Sequence, residues 1–308
     1  MDKHTWHNME FFKKEHSNSH CVFYIQDGLN EKSLNTDALL RYTKENIELL
    51  REYLPDLLPE DIPVIIVKKE DFLDKFWPKE LAQKSEGDGG ICIRNFDNEP
   101  PYHSALVISS AVTDKIFREY SISTQVNFIH EIAHIMHSLF YNNSVLCEGL
   151  AEIIPEYILG FEEKDPSFFK KLSQLKLDQL PDIKELKENG FFTTNNSSRF
   201  AQYSPSYQSA YLWMRGLIKR IEKKEKLSKE DALRKTLHLL SKINSKLMPE
   251  QMGILGEKIG LSAEELYTTL TLQQESLKEI EKLSKRKNLL VFSKEKIKKV
   301  QQKGNQNG

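Results

Sequence analysis

Residues 126–136 read Val126-Asn127-Phe128-Ile129-His130-Glu131-Ile132-Ala133-His134-Ile135-Met136, and Cys147-Glu148-Gly149-Leu150-Ala151-Glu152 follows shortly after. The apolar residues of the first stretch recur at helical spacing, which predicts a helix over residues 125–140 packed inside a domain. On that helix His130 and His134 fall on one face, with Cβ atoms about 5–6 Å apart. Two histidines and a glutamate are costly on such a helix unless they are paired or bound to a metal. The second stretch predicts another helix over residues 147–158, and its small residues Gly149 and Ala151 let it approach the first.

Two imidazoles at that separation can grip one ion, and a catalytic zinc keeps three protein ligands and a water. Glu131, next to the first histidine, is directed at the water rather than the ion, which suits a general base. Glu148 is the expected third ligand, and Glu152, one turn later, can hold a zinc-bound histidine through its second ring nitrogen. The two carboxylates could exchange these roles. His137 is a rival ligand, but it projects well round the helix from His130 and reads as a surface histidine. The expected cofactor is one catalytic Zn²⁺.

Before this centre the sequence reads as a small mixed α/β layer. Strands are expected at residues 21–26, 64–67, 91–93 and 105–108, with helices over 39–54 and 71–76. After residue 123 the strand signals fade and the periodicity is helical. Helices are expected over residues 168–177, 206–223, 228–241, 249–258 and 262–283, with a polar loop over 189–204. The fold class is therefore α+β, a small N-terminal α/β layer followed by a mainly helical C-terminal half. The chain divides into an extension (1–20), an α/β subdomain (21–122), a helical subdomain with the active site (123–225), C-terminal helices (226–294) and a basic tail (295–308).

Composition narrows the function classes. The 44 basic residues nearly cancel the 45 acidic ones, so no global field recruits nucleic acid or an anionic membrane. The runs over 219–226 and 294–303 read as solvated lysine-rich helix faces. Three cysteines without a C-x-x-C pair fit a reducing compartment better than a disulfide scaffold. No stretch has the length of a signal peptide's apolar core or of a membrane span, so the expected location is cytoplasmic. The expected partner is a peptide or protein substrate, with neither nucleic acid nor membrane; the oligomeric state is not legible.

A His-Glu-x-x-His helix followed by Glu148-Gly149-Leu150-Ala151-Glu152 resembles the gluzincin, or peptidase-MA-like, zinc metallopeptidases over residues 127–157. The resemblance implies a zincin-like catalytic domain, peptide-bond hydrolysis, and Glu148 as third ligand. It also implies an edge strand above the cleft that pairs with substrate backbone, for which residues 89–93 are the candidate. A tyrosine on a later helix would steady the tetrahedral oxyanion. Tyr207 in Tyr207-Gln208-Ser209-Ala210-Tyr211 is the first choice, with Tyr203 and Tyr211 behind it, although Tyr211, Trp213, Met214 and Leu217 also read as a core stripe. The chain lacks the Gly-x-Met-Glu-Asn segment with which aminopeptidases of this group hold a free amino end, which favours an endopeptidase. Its spacer from His134 to Glu148 is shorter than in thermolysin-like members. The alternative expectation is a retained gluzincin scaffold that binds a partner without catalysis.

Overall fold

Ile62-Pro63-Val64-Ile65-Ile66-Val67 is apolar at every position, as a strand covered on both faces must be. The computed structural model describes residues 3–15, 21–29, 36–54, 58, 61–76, 91–94, 105–111, 122–135, 144–160, 172, 175–189, 205–241 and 249–284. Its strands are β1 (Lys3–Trp6), β2 (Met9–Glu15), β3 (Cys21–Gln26), β4 (Ile62–Val67), β5 (Ile91–Arg94) and β6 (Ala105–Ser109), in one sheet of order β1-β2-β3-β4-β6-β5. The β3–β4 and β4–β6 pairs are parallel, and the remaining neighbours are antiparallel. Pro63 sits ahead of the first β4–β6 partners, Val64 and Leu106, so its missing N–H breaks no rung on that side.

Alternate residues of the central strands enter two cores. Phe23, Ile25, Val64, Ile66, Leu106 and Ile108 face the helical half, whereas Tyr24, Ile65, Val67 and Val107 pack with Trp6, Phe11, Phe72 and Phe76. Phe72 belongs to α2 (Lys69–Lys75), which covers the second face together with the N-terminal hairpin, while α1 (Thr36–Tyr53) connects β3 to β4.

Residues 3–15, expected as part of an extension, are instead β1 and β2, and they complete the second core. Their charged residues hide a short alternation of Trp6, Met9 and Phe11, all buried. The tight turn escapes notice because it lacks glycine: His7 and Asn8 take φ of 50° and 59°, the pair of left-handed residues a two-residue hairpin loop requires. Contacts hold His7 there, its ring lying 4.6 Å from Trp6 and 5.5 Å, edge-on, from Phe76.

The remaining helices are α3 (Ile122–Ile135), α4 (Ser144–Leu159), α5 (Ile183–Asn189), α6 (Pro205–Glu225), α7 (Lys229–Ser241), α8 (Pro249–Ile259), α9 (Ala263–Tyr267) and α10 (Thr271–Ser284). α3 rests on α1, with Phe128 edge-on to Tyr42 at 4.8 Å. One core cluster runs from Cys21 of the sheet to Ile280 of α10, so sheet and helices share an interior. At its centre α6 is buried at every residue from Ser206 to Ile218.

The single helix expected over 262–283 is two. The Thr268 and Thr269 hydroxyls donate to the carbonyls of Glu264 and Glu265, at 3.0 and 2.7 Å, where the first of the two helices ends. α5 was not expected; Asp182 and Glu185 announce it by capping each other's backbone N–H at 2.8 and 2.9 Å. Ser228 caps α7, accepting from the Asp231 N–H at 3.1 Å. Of the helix expected over 168–177, only residues 172 and 175–177 are described, and Leu177–Gln179 is a 3-10 turn. The 295–308 tail and nearly all of the 189–204 loop lie outside the described residues. Among those described, no helix is long and apolar enough to cross a membrane.

Trp6 stacks on Phe76 at 5.0 Å and is only 4% exposed. Trp6→Ala is expected to cost about 3–5 kcal/mol in urea unfolding, as large-to-small core changes do. An extension outside the fold would show no change.

Candidate metal centre

The apolar side of α3, with Phe128, Ile129, Ile132 and Ala133 fully buried, fixes where the rest of the helix points. His130, Glu131 and His134 occupy the less buried remainder, and the two rings lie 4.8 Å apart and nearly perpendicular at 81°. α4 packs beside α3 and brings Glu148 to both rings. His130 Nε2 and His134 Nε2 are 3.2 Å apart, and Glu148 Oε2 lies 3.8 and 3.7 Å from them. A tetrahedral zinc with bonds of about 2.0–2.2 Å separates its donors by about 3.3–3.6 Å, so the three atoms form a triangle close to the right size. The donor set, two imidazoles and a carboxylate, suits the same ion.

Glu152 completes the arrangement from the far side of His130. Its Oε1 lies 3.3 Å from His130 Nδ1, so Nδ1–H donates to the carboxylate and Nε2 faces Glu148 and His134. Glu148 thus lies in the triangle and Glu152 behind the ring. Gly149 differs from expectation. A Cβ there would lie 2.9 Å from the Ala210 carbonyl oxygen, so the glycine admits α6 rather than α3.

The approach of α6 carries Tyr207 into the centre, where its hydroxyl hydrogen-bonds Glu148. The phenol is mostly buried, and burial together with the Glu148 charge pushes its pKa up, so it stays a proton donor. Burial also works against a charge on His130, but the hydrogen bond and charge of Glu152, with Glu131 and Glu148 near, outweigh it and hold the imidazole at about 9. Burial raises Glu148 to about 7 against the pull of His130. A proton is thus retained where three donor atoms converge. Glu131 is close enough to act on the charges of His130, Glu148 and Tyr207.

Tyr211, Trp213, Met214 and Leu217 are the core stripe, all at most 1% exposed. Tyr211 cannot serve as an oxyanion donor, because its hydroxyl donates to Glu156 Oε2 at 2.5 Å away from the histidines. Tyr203 and His137 lie outside the described residues. Among the described residues β5 is the sheet's outer strand, pairs only with β6 and packs against α3, so one backbone edge runs beside the histidine helix.

A second group went unread in the sequence. Arg215, 2% exposed, donates from Nε to Glu156 Oε1 at 3.1 Å and from Nη1 to Glu279 Oε2 of α10 at 2.7 Å. The usable signal was spacing: Glu148, Glu152 and Glu156 share one face of α4, opposite Tyr207, Tyr211 and Arg215 of α6. No family model, curated protein or solved structure matches this chain.

Arg215→Met leaves the Glu156 charge buried and is expected to destabilise the fold by about 3–5 kcal/mol. Adding Glu156→Gln, which removes that charge and keeps an acceptor for Tyr211, is expected to restore part of the loss in the same urea titration. Equal stability of the single and double variants would contradict a charge-driven clamp.

Proposed function

We propose that this chain is a zinc-dependent metallopeptidase of gluzincin type with a zincin-like catalytic domain, cleaving within peptide chains rather than trimming a free amino end. The observation that carries this reading is the triangle of His130 Nε2, His134 Nε2 and Glu148 Oε2, with edges of 3.2, 3.7 and 3.8 Å. These three residues would hold the ion, and zinc there would supply Lewis acidity and lower the pKa of a water. Glu131, adjacent to His130 on the open side of α3, takes the proton of the attacking water and passes it to the departing amine. Tyr207, held protonated by burial, donates a hydrogen bond to the oxygen that gains charge as the carbonyl is attacked. Glu152, on His130 Nδ1, would keep the imidazole in the tautomer that leaves Nε2 free to hold the ion. The side of β5 that no described strand pairs with suits an extended substrate, whose backbone it can accept as a further strand. The lack of a Gly-x-Met-Glu-Asn segment supports internal cleavage.

Purified protein is expected to hold one zinc per chain and to cleave unstructured peptides. Glu131→Gln should keep the zinc and lower the cleavage rate by about 10²–10⁴-fold, the usual size of a general-base contribution. A Glu131→Gln variant as active as the parent would overturn the mechanism, and a parent that binds no zinc would leave the scaffold reading in its place.

Zinc affinity should itself report the Glu152 contact. Glu152→Gln is expected to weaken zinc by about 10–100-fold in a chelator competition, the range seen when a histidine ligand loses its outer carboxylate. Because the ion must displace the proton that His130 holds up to about pH 9, apparent affinity should rise with pH between 6 and 9. Unchanged affinity in Glu152→Gln would remove Glu152 from the centre.

A further inference from the structure

Away from the histidines, α6, the end of α8 and α10 enclose a groove of about 650 Å³. Among the described residues, six basic side chains, Lys219, Arg220, Lys223, Lys224, Lys278 and Lys282, line it against two acidic ones, Glu275 and Glu279. The chain as a whole carries a formal net charge of −1, so this concentration is local. Both carboxylates are already engaged. Glu275 accepts the Arg220 fork from Nε at 2.9 Å and Nη2 at 2.5 Å, and Glu279 accepts from the buried Arg215 at 2.7 Å. Lys219 pairs with Glu222 at 2.7 Å, and Lys224 donates to the Glu257 carbonyl at 3.0 Å. Lys223, Lys278 and Lys282 are left exposed, with no ion pair among the described residues.

Two features make this a formed site rather than a solvated helix face. Gly216 draws the two helices together, since a Cβ there would lie 2.6 Å from the Leu272 carbonyl oxygen, and lysines of both helices thereby line one groove. Lysines at 219 and 223, and at 278 and 282, also repeat at the spacing at which like charges repel on a helix, a cost that an anion between them would remove.

We infer that this groove binds a small soluble ligand carrying several phosphates, held by Lys223, Lys278 and Lys282. Phosphate rather than carboxylate is favoured because the groove's one guanidinium fork is committed to Glu275. Lysine ammonium groups remain, and they act on phosphate as compact point charges. The groove's volume lies within the range of small-molecule sites, which favours such a ligand over a nucleic-acid strand.

Calorimetry with inositol hexakisphosphate and with inorganic tripolyphosphate on the full chain tests this. Binding with a Kd on the order of 10 μM at moderate salt is expected, weakening as salt rises. The charge-reversed triple variant K223E/K278E/K282E, which changes only exposed positions, should bind at least tenfold more weakly, with unchanged circular dichroism. K229E, on α7 outside the groove, should bind as the parent does. Three outcomes would overturn the inference: no binding of either probe at 1 mM, a triple variant that binds like the parent, or a short single-stranded DNA that competes more tightly than both probes. Vesicles containing a phosphoinositide, measured beside the soluble probes, separate a membrane headgroup from a free ligand; retention on vesicles without binding of the soluble probes would also count against it.

Discussion

Three carboxylates, Glu148, Glu152 and Glu156, share one face of α4 inside the protein, and the rest of the helical half is arranged around neutralising them. A charge taken out of water is tolerated only with a partner opposite it. Glu148 meets two imidazoles and a phenol, Glu152 meets the back of His130, and Glu156 meets a phenol and a guanidinium. The partners come from α3 on one side and α6 on the other. The spacing of these three helices is thus set as much by charge as by apolar packing, and the proposed metal centre is the end of that array closest to solvent.

Much of this was legible in the sequence because α3 and α4 carry their signals locally. The apolar run around His130 and His134 and the Glu148-Gly149-Leu150-Ala151-Glu152 segment place the right groups on the right faces by helical periodicity alone. Periodicity cannot say which neighbour a face meets. Gly149 looked like clearance for α3 and is clearance for α6. Arg215 is among the largest buried side chains of the described residues, and its partners lie on two other helices distant in sequence, which periodicity cannot supply.

The sheet shows the same division. β4 is apolar throughout and β6 is apolar from Ala105 to Ile108, so both announce themselves as central strands. The N-terminal hairpin does not, since Thr5 and Glu10 face solvent between its buried residues and its turn is built from His7 and Asn8. Its worth lies in covering the second face with Trp6 and Phe11, which only the sheet order makes visible. The break between α9 and α10 likewise depends on two threonine hydroxyls choosing backbone carbonyls, a choice their propensities leave open.

The column of carboxylates also bears on how the chain acquires its shape during synthesis. Residues 144–159 leave the ribosome well before residues 205–225, so α4 emerges with three like charges one turn apart and without Tyr207, Tyr211 or Arg215 to meet them. The sheet and α3 can collapse first on their apolar faces. The face of α4 that bears Glu156 has to wait for α6, which makes the buried Glu156–Arg215 pair a late product of folding, while the Glu148 end of the column, already met by α3, gains Tyr207 only once the C-terminal half has emerged.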